Sequence, residues 1–326
     1  MSQKICVISF DHWNYDCHIV SALQEIGIAS FHIKIGNFKH TSLYSRFINT
    51  LSKIFIGKNP KIQKRQEYIL NQLEKKGFQD QILVINPETI DLENHLKIKK
   101  YTSKYIAYLY DSVERNPVNH LLNGVFDEIY SFDKKDISNY NFKETTNYNY
   151  ISKTPIASAN KIKNEILYIA SFDNRLDKIK QLKSLFEKIN RTYRFIIVGK
   201  KTTLYKIKNL FSTQSKNLDL RRKRINQTEL KKLYSETKIV LDIVRDNQIG
   251  LSFRVFEAMA YQKKIITNNK SIMEYDFYNP NNILVLQNKT YEFESSFFET
   301  AYQPIAKEIY DKYTVQSWVK KIFNLN

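Results

Sequence analysis

Residues 248–268 run Gln-Ile-Gly-Leu-Ser-Phe-Arg-Val-Phe-Glu-Ala-Met-Ala-Tyr-Gln-Lys-Lys-Ile-Ile-Thr-Asn. Gly250 opens a turn, Ser252 suits a helix N-cap, and Phe253 to Gln262 form a short helix ahead of a β-rich run, Ile265 to Thr267. A helix N-terminus carries N–H groups outside the helical ladder and the positive end of the dipole, so it can hold a phosphate. Val255, Phe256, Met259 and Ala260 recur at helical spacing and should face a core, leaving Arg254, Glu257 and Tyr261 on one outward face. A cation near the helix start with a carboxylate one turn later suits a nucleoside diphosphate, the Arg on phosphate and the Glu on ribose hydroxyls. As a plain surface pair, the same two residues would contribute little.

A second stretch that can do chemistry follows the first apolar run: Asp11-His12-Trp13-Asn14-Tyr15-Asp16. Asp11, His12 and Asp16 are possible bases, and Trp13 could stack on a sugar ring; the plain alternative is that Asp11 or Asp16 caps the next helix. Asp111, just past a predicted strand over 105–110, is a rival base, because ligands of parallel α/β sheets bind beyond the carboxyl ends of strands. All six histidines (12, 18, 32, 40, 95 and 120) lie in the first half, so a histidine base must come from there.

The elements that must position these groups alternate strand and helix. Strands are expected over 4–10, 30–35, 81–85, 105–110 and 129–132, with helices over 17–26, 43–56, 67–76 and 88–97. Residues 141–163 lose periodicity and are expected to be a linker. A second series then begins: strands over 166–171, 194–199, 217–220, 238–244, 264–267 and 283–286, with helices over 175–189, 203–211, 228–236 (capped by Thr228) and 305–323. The pattern predicts two β-α-β domains. The helix over 43–56, followed by Lys58, Lys61, Lys64 and Arg65, has the composition of a segment that can lie on an anionic membrane.

Composition limits the possibilities further. The chain has 326 residues and only seven glycines, with no Gly-x-Gly-x-x-Gly and no Gly-x-x-x-x-Gly-Lys-Ser/Thr, which excludes a dinucleotide dehydrogenase and a P-loop ATPase. No apolar stretch approaches a membrane span, the start does not resemble a secretory signal, and Cys6 and Cys17 cannot make a disulfide framework, so a cytoplasmic protein is expected. Lys and Arg number 20 against 16 acidic residues in 1–160, but 31 against 17 in 161–326, so the second half should meet an anionic partner.

The 248–268 segment resembles the donor-site motif of GT-B glycosyltransferases, in the family-1-like group that includes CgeB-like proteins and surface-polysaccharide transferases. Gln248, Gly250, Leu251, Ser252, Arg254, Phe256, Glu257, Ala258 and Ala260 all match it. Residues 83–87, 105–112 and 126–133 resemble the second part of that group's N-terminal domain, and Tyr313-Thr314 with Trp318 its closing helix. Two departures stand out: Gln262 occupies the usual glycine position after the helix, and Ile249 stands where many retaining members carry a first Glu. Retaining and inverting chemistry both stay open.

The resemblance implies an α/β, GT-B fold: two Rossmann-like parallel-sheet domains facing across a cleft, with a C-terminal helix crossing back. The expected boundaries are 1–150 for the acceptor domain, 163–304 for the nucleotide-sugar donor domain and 305–326 for the returning helix. It implies that Glu257 bonds ribose and that Ser252 and the nearby N–H groups hold the diphosphate. Arg254, with Arg175 and Lys200, would offset charge on the leaving group. With no Asp-x-Asp, no metal and no other cofactor is expected. The implied acceptor is a lipid-linked glycan of bacterial lipopolysaccharide or capsule synthesis, met at the inner face of the cytoplasmic membrane. Rival readings are a basic nucleic-acid-binding protein, motivated by Arg221-Arg222-Lys223-Arg224 but lacking any accompanying motif, and a catalytically inactive sugar-nucleotide-binding scaffold.

Overall fold

The computed structural model describes residues 3–11, 13–37, 60–155, 161–208, 218–245, 248–287 and 293–325. The candidate base His12 and the helix expected over 43–56 lie outside the described residues. The chain divides into two units, Met1–Thr146 with Thr314–Asn326, and Asn147–Tyr313.

The first unit opens with β1 (Lys4–Ser9), α1 (Cys17–Glu25) and β2 (Ala29–Lys34), and continues with α2 (Pro60–Lys76), β3 (Gln79–Ile85), α3 (Leu92–Lys99) and β4 (Thr102–Leu109). It then adds β5 (Glu128–Ser131), α4 (Lys134–Tyr140) and β6 (Lys143–Glu144). All six strands are parallel, in the order β2-β1-β3-β4-β5-β6. Parallel strands covered on both faces need continuous apolar runs, and Ile5 to Ile8 and Ile82 to Val84 are fully buried. Cys6 packs in this core among Ile8, Ile82, Val84 and Tyr105, as a small hydrophobe rather than a reactive thiol.

The second unit contains β7 (Asn164–Ser171), α5 (Leu176–Lys188), β8 (Tyr193–Val198), α6 (Thr202–Lys208), β9 (Leu218–Arg221), α7 (Gln227–Ser235) and β10 (Thr237–Asp242). After these come α8 (Phe253–Ala260), β11 (Lys264–Thr267), β12 (Ile283–Val285), α9 (Ser295–Glu299) and α10 (Lys307–Lys312). Its parallel sheet has the order β12-β11-β10-β7-β8-β9. The chain then closes the first unit with α11 (Val315–Phe323), which buries Val319, Ile322 and Phe323 and packs against α1. Trp318 donates its indole N–H to the Thr146 carbonyl at 2.9 Å.

Several expected elements differ. The 141–163 segment is not a featureless linker: it holds β6, and Tyr148 is fully buried. Its polar residues serve the backbone instead of solvent, with Asn147 donating to the Leu251 carbonyl and Asn149 accepting from the Ile151 N–H. The helix expected over 88–97 is a 3-10 turn at Pro87–Thr89 followed by α3, because Asn86 enters in a left-handed conformation. Asn226, not Thr228, caps α7, accepting from the Glu229 N–H at 2.8 Å. Helix α4 went unforeseen; Asp133 caps it.

Candidate functional site

In each sheet the strand order reverses at one point, where connections on the two sides run to opposite faces and leave an opening at the carboxyl edge. That point lies between β7 and β10 in the second unit and between β1 and β3 in the first.

At the second unit's switch point three guanidinium groups meet two carboxylates. Arg175, just past β7, grips Asp173 with Nε and Nη2 (2.9 and 2.7 Å) and reaches the Ile243 carbonyl beyond β10 with Nη1 (2.7 Å). Arg245 also donates to Asp173, at 2.8 Å. Burial works to raise the Asp173 pKa, but the bonds and charge of Arg175, with Arg245, outweigh it and hold the group below its ordinary range. Asp242, the last residue of β10, is completely buried; its Oδ1 accepts from Ser252 Oγ and from Arg254 Nε, each at 2.8 Å. Among the described residues its Oδ2 has no hydrogen-bond partner. Arg254 also reaches the Ile169 carbonyl and lies over the Tyr168 ring. Burial opposes the charge of Arg254, but Asp242, Tyr168 and Tyr234 overcome that and raise its pKa. The cluster keeps one net positive charge beside the N-terminus of α8.

This geometry corrects the outward-face expectation. Arg254 is half-buried, Glu257 is 3% exposed and Tyr261 6%. Glu257 turns into the unit, where its two oxygens accept from Tyr150 and Tyr234 at 2.6 and 2.7 Å, and Tyr234 stacks on Tyr261. A buried carboxylate needs such partners, so Glu257 ties α8 to α7 and to the 147–155 segment. Ser252 occupies the N-cap position without capping, because its hydroxyl proton is given to Asp242. Arg175 is buried, not a loop cation awaiting an anion. Lys200 is exposed at the carboxyl end of β8, after Gly199, where an added Cβ would meet Phe172 Cβ at 3.0 Å, a tight contact.

Gln248 is half-buried, while Gly250 and Leu251 are buried. Two residues the sequence did not single out hold this loop: Asn269 donates to the Ile249 carbonyl at 2.9 Å, and Ser271 to the same oxygen at 2.6 Å. Their signal is polar residues directly after β11, where core would otherwise continue. Gln262 closes α8 at φ 51°, the conformation that favours glycine, and its side chain compensates by donating to the Thr154 carbonyl at 2.6 Å.

At the first unit's switch point Asp11 is buried with φ 45°. Its Oδ1 accepts from the Asp16 N–H (3.0 Å) and its Oδ2 from Lys34 (2.9 Å). Asp16 stands at the N-cap position of α1 but makes no side-chain cap; it accepts from Tyr110 at 2.5 Å. Burial is the main cause that lifts Asp16 to about 6, against the bonds from Ser9 and Tyr110 and with the repulsion of Asp11. Asp111 pairs with Arg115 at 2.6 Å. The 86–88 loop adds Glu88, which the sequence reading placed in a helix. His18 is held below its usual value, chiefly by burial. Among the described residues no group of three or more His, Cys, Asp or Glu side chains could hold a metal ion.

Two parallel α/β units, each with a charged cluster at its switch point, define a GT-B-type architecture of two Rossmann-like domains. Residues 175–304, within the second unit, match the family model described as "Glycosyl transferase-like". The chain has the GT-B fold, and the likeness in sequence to glycosyl transferases is confined to that segment of the second unit. A UDP-forming α,α-trehalose-phosphate synthase from Burkholderia xenovorans is similar at 11% identity and TM-score 0.53, over 99% of this chain and 98% of that one. A UDP-N-acetylglucosamine 2-epimerase from Rickettsia bellii gives 13% and 0.52, over 100% and 96%. The epimerase from Neisseria meningitidis bound to UDP-GlcNAc gives 13% and 0.50, over 98% of each chain. At these identities the likeness is one of fold. No curated protein sequence matches significantly.

Proposed function

We propose that this protein transfers a glycosyl group from a nucleotide-diphosphate sugar to an acceptor hydroxyl. The observation that carries this reading is the coincidence of the glycosyl transferase-like segment with the net-positive arginine cluster at the second unit's switch point. The donor's diphosphate lies at the start of α8, beside Arg254 and within reach of the exposed Lys200, whose charges stabilise the leaving group. Glu257 acts here as a brace for α8 through Tyr150 and Tyr234, in place of the ribose contact expected from the sequence. The first unit supplies the acceptor side. The acceptor is a lipid-linked glycan of surface-polysaccharide synthesis, a reading supported by the basic second half and by an apolar, cation-flanked face on α6. Among the described residues no helix is long and apolar enough to cross a membrane, so attachment on this reading is peripheral.

The test begins with a thermal-shift screen of UDP-, GDP-, CMP- and dTDP-sugars, followed by labelled-donor transfer. Arg254→Ala is a poor probe, because it strands the buried Asp242 carboxylate and costs about 3–5 kcal/mol. Arg254→Lys keeps the charge but loses the planar fork. It should lower transfer about 100-fold with the fold intact. Undiminished transfer by Arg254→Lys would remove this site. Epimerisation of UDP-GlcNAc without transfer would instead align the chain's activity with that of the epimerases sharing its fold.

A further inference from the structure

Asp242 carries a charge that solvent does not reach. As the last residue of β10 it is completely buried, while the Arg254 side chain paired with it is 20% exposed. The backbone beyond Asp242 is pinned from two sides: Arg175 donates to the Ile243 carbonyl at 2.7 Å, and Asn268 accepts from the Val244 N–H at 2.8 Å. The carboxylate therefore has a fixed place, to which Arg254 must conform. Their pairing is one-sided. Arg254 Nε donates to Oδ1, Nη2 lies 2.8 Å from the same oxygen, and the Ser252 hydroxyl donates there as well. A fork-to-fork pair would set one nitrogen on each oxygen, but here Oδ2 is buried with no partner among the described residues. Arg254 Nη1 reaches the Ile169 carbonyl at a long 3.3 Å. Each terminal nitrogen carries two N–H groups and has one contact among the described residues, so each keeps an N–H for a further acceptor.

Resting on the glycosyl-transfer reading, we propose that Asp242 is a positioning residue that anchors Arg254 and offsets its charge, so that a nucleoside diphosphate binds through Arg254 and can leave again. Being buried behind the arginine, Asp242 acts on the ligand only through it. A guanidinium beside a helix N-terminus holds a diphosphate firmly, and once transfer has left the nucleoside diphosphate behind, firm holding means slow release. A fixed negative charge behind the guanidinium weakens that hold without touching the ligand. Three guanidiniums against two carboxylates leave the cluster one positive charge; without the charge of Asp242 it would have two. Every group involved belongs to the second unit.

The experiment uses the full chain, with UDP and GDP as probes. Asp242→Asn keeps a carbonyl oxygen for Ser252 and Arg254 and sets its NH2 where Oδ2 has no partner, so the variant should still melt cooperatively. Calorimetric titration at low salt should show about tenfold tighter binding of the preferred nucleotide. With the donor found by the screen, kcat and the donor KM should both fall about tenfold, the mark of slowed product release. A merely structural role has the opposite sign, since a disturbed Arg254 binds nucleotide less well. Unchanged or weaker binding by folded Asp242→Asn would overturn the assignment while leaving the transferase reading in place. The wild-type chain gives a second reading that needs no folded variant at position 242. Its Arg254 Nε–H, assigned by NMR through its absence from Arg254→Lys, should stay protected from solvent exchange when UDP or GDP is added. Loss of that protection would show Arg254 leaving Asp242 and would defeat the anchor. Failure of the wild-type chain to bind any nucleoside diphosphate or to transfer from any donor would overturn both readings.

Discussion

Asp16 shows how a single buried carboxylate sets a pH dependence. Its pKa lies at about 6 in the folded chain against an ordinary 3.8, with burial the main cause. The folded chain therefore binds this proton more tightly than the unfolded chain does. Stability is greatest below the ordinary value, falls as pH rises through the interval, and above the folded pKa carries a penalty of roughly 3 kcal/mol. Asp16→Asn, which still accepts from Tyr110, should raise the melting temperature at about pH 8 and give no gain at about pH 4. Identical pH dependence in the two chains, followed by thermal melts, would refute this. The buried charge persists at a sheet edge where ligands bind, and destabilising groups are characteristic of such places.

At the scale of elements, the strands were legible because parallel strands covered on both faces leave unmistakable apolar runs, such as Ile5 to Ile8 and Ile239 to Leu241. The donor helix was legible too, since Val255, Phe256 and Met259 repeat at helical spacing. Which way its polar residues point was not. Periodicity placed Glu257 outside, but the phenols of Tyr150 and Tyr234 come from elements 107 and 23 residues away, and no local pattern announces such partners. Glu88 was hidden for a similar reason: its neighbour Asn116 lies 28 residues on. Helix α6 carries an element-scale prediction. Leu204 and Ile207, one turn apart, are 63% and 64% exposed, and Lys201, on the approach to α6, and Arg222 and Lys223, just past the adjacent β9, are exposed as well. Such a face suits an anionic bilayer. Joint replacement of Leu204 and Ile207 by Ser should lower co-sedimentation with anionic vesicles by about tenfold, with neutral vesicles bound weakly by both chains. Equal sedimentation of variant and wild type on anionic vesicles would exclude this face.

At the scale of the whole molecule, the first unit is built from two separate stretches of chain. Its last piece, α11, is held by Trp318, 3% exposed, whose ring meets Tyr108 edge-on at 5.2 Å, and by Gln81 donating to the Phe323 carbonyl. Trp318→Ala should cost about 3–5 kcal/mol in the first unit alone. The chain's two tryptophans, 13 and 318, both belong to that unit, so in the variant the fluorescence of Trp13 follows it selectively. Its urea midpoint should fall while circular dichroism retains a later transition from the second unit; an unmoved Trp13 midpoint would contradict the role given to α11. The order of translation adds a constraint. Residues 1–146 leave the ribosome long before 314–326, so the early sheet waits, with the surface of α1 that α11 will cover still open to water, until all of 147–313 has been made. The domain begun first is finished last, and a chaperone attending the nascent chain would find its most persistent apolar target there.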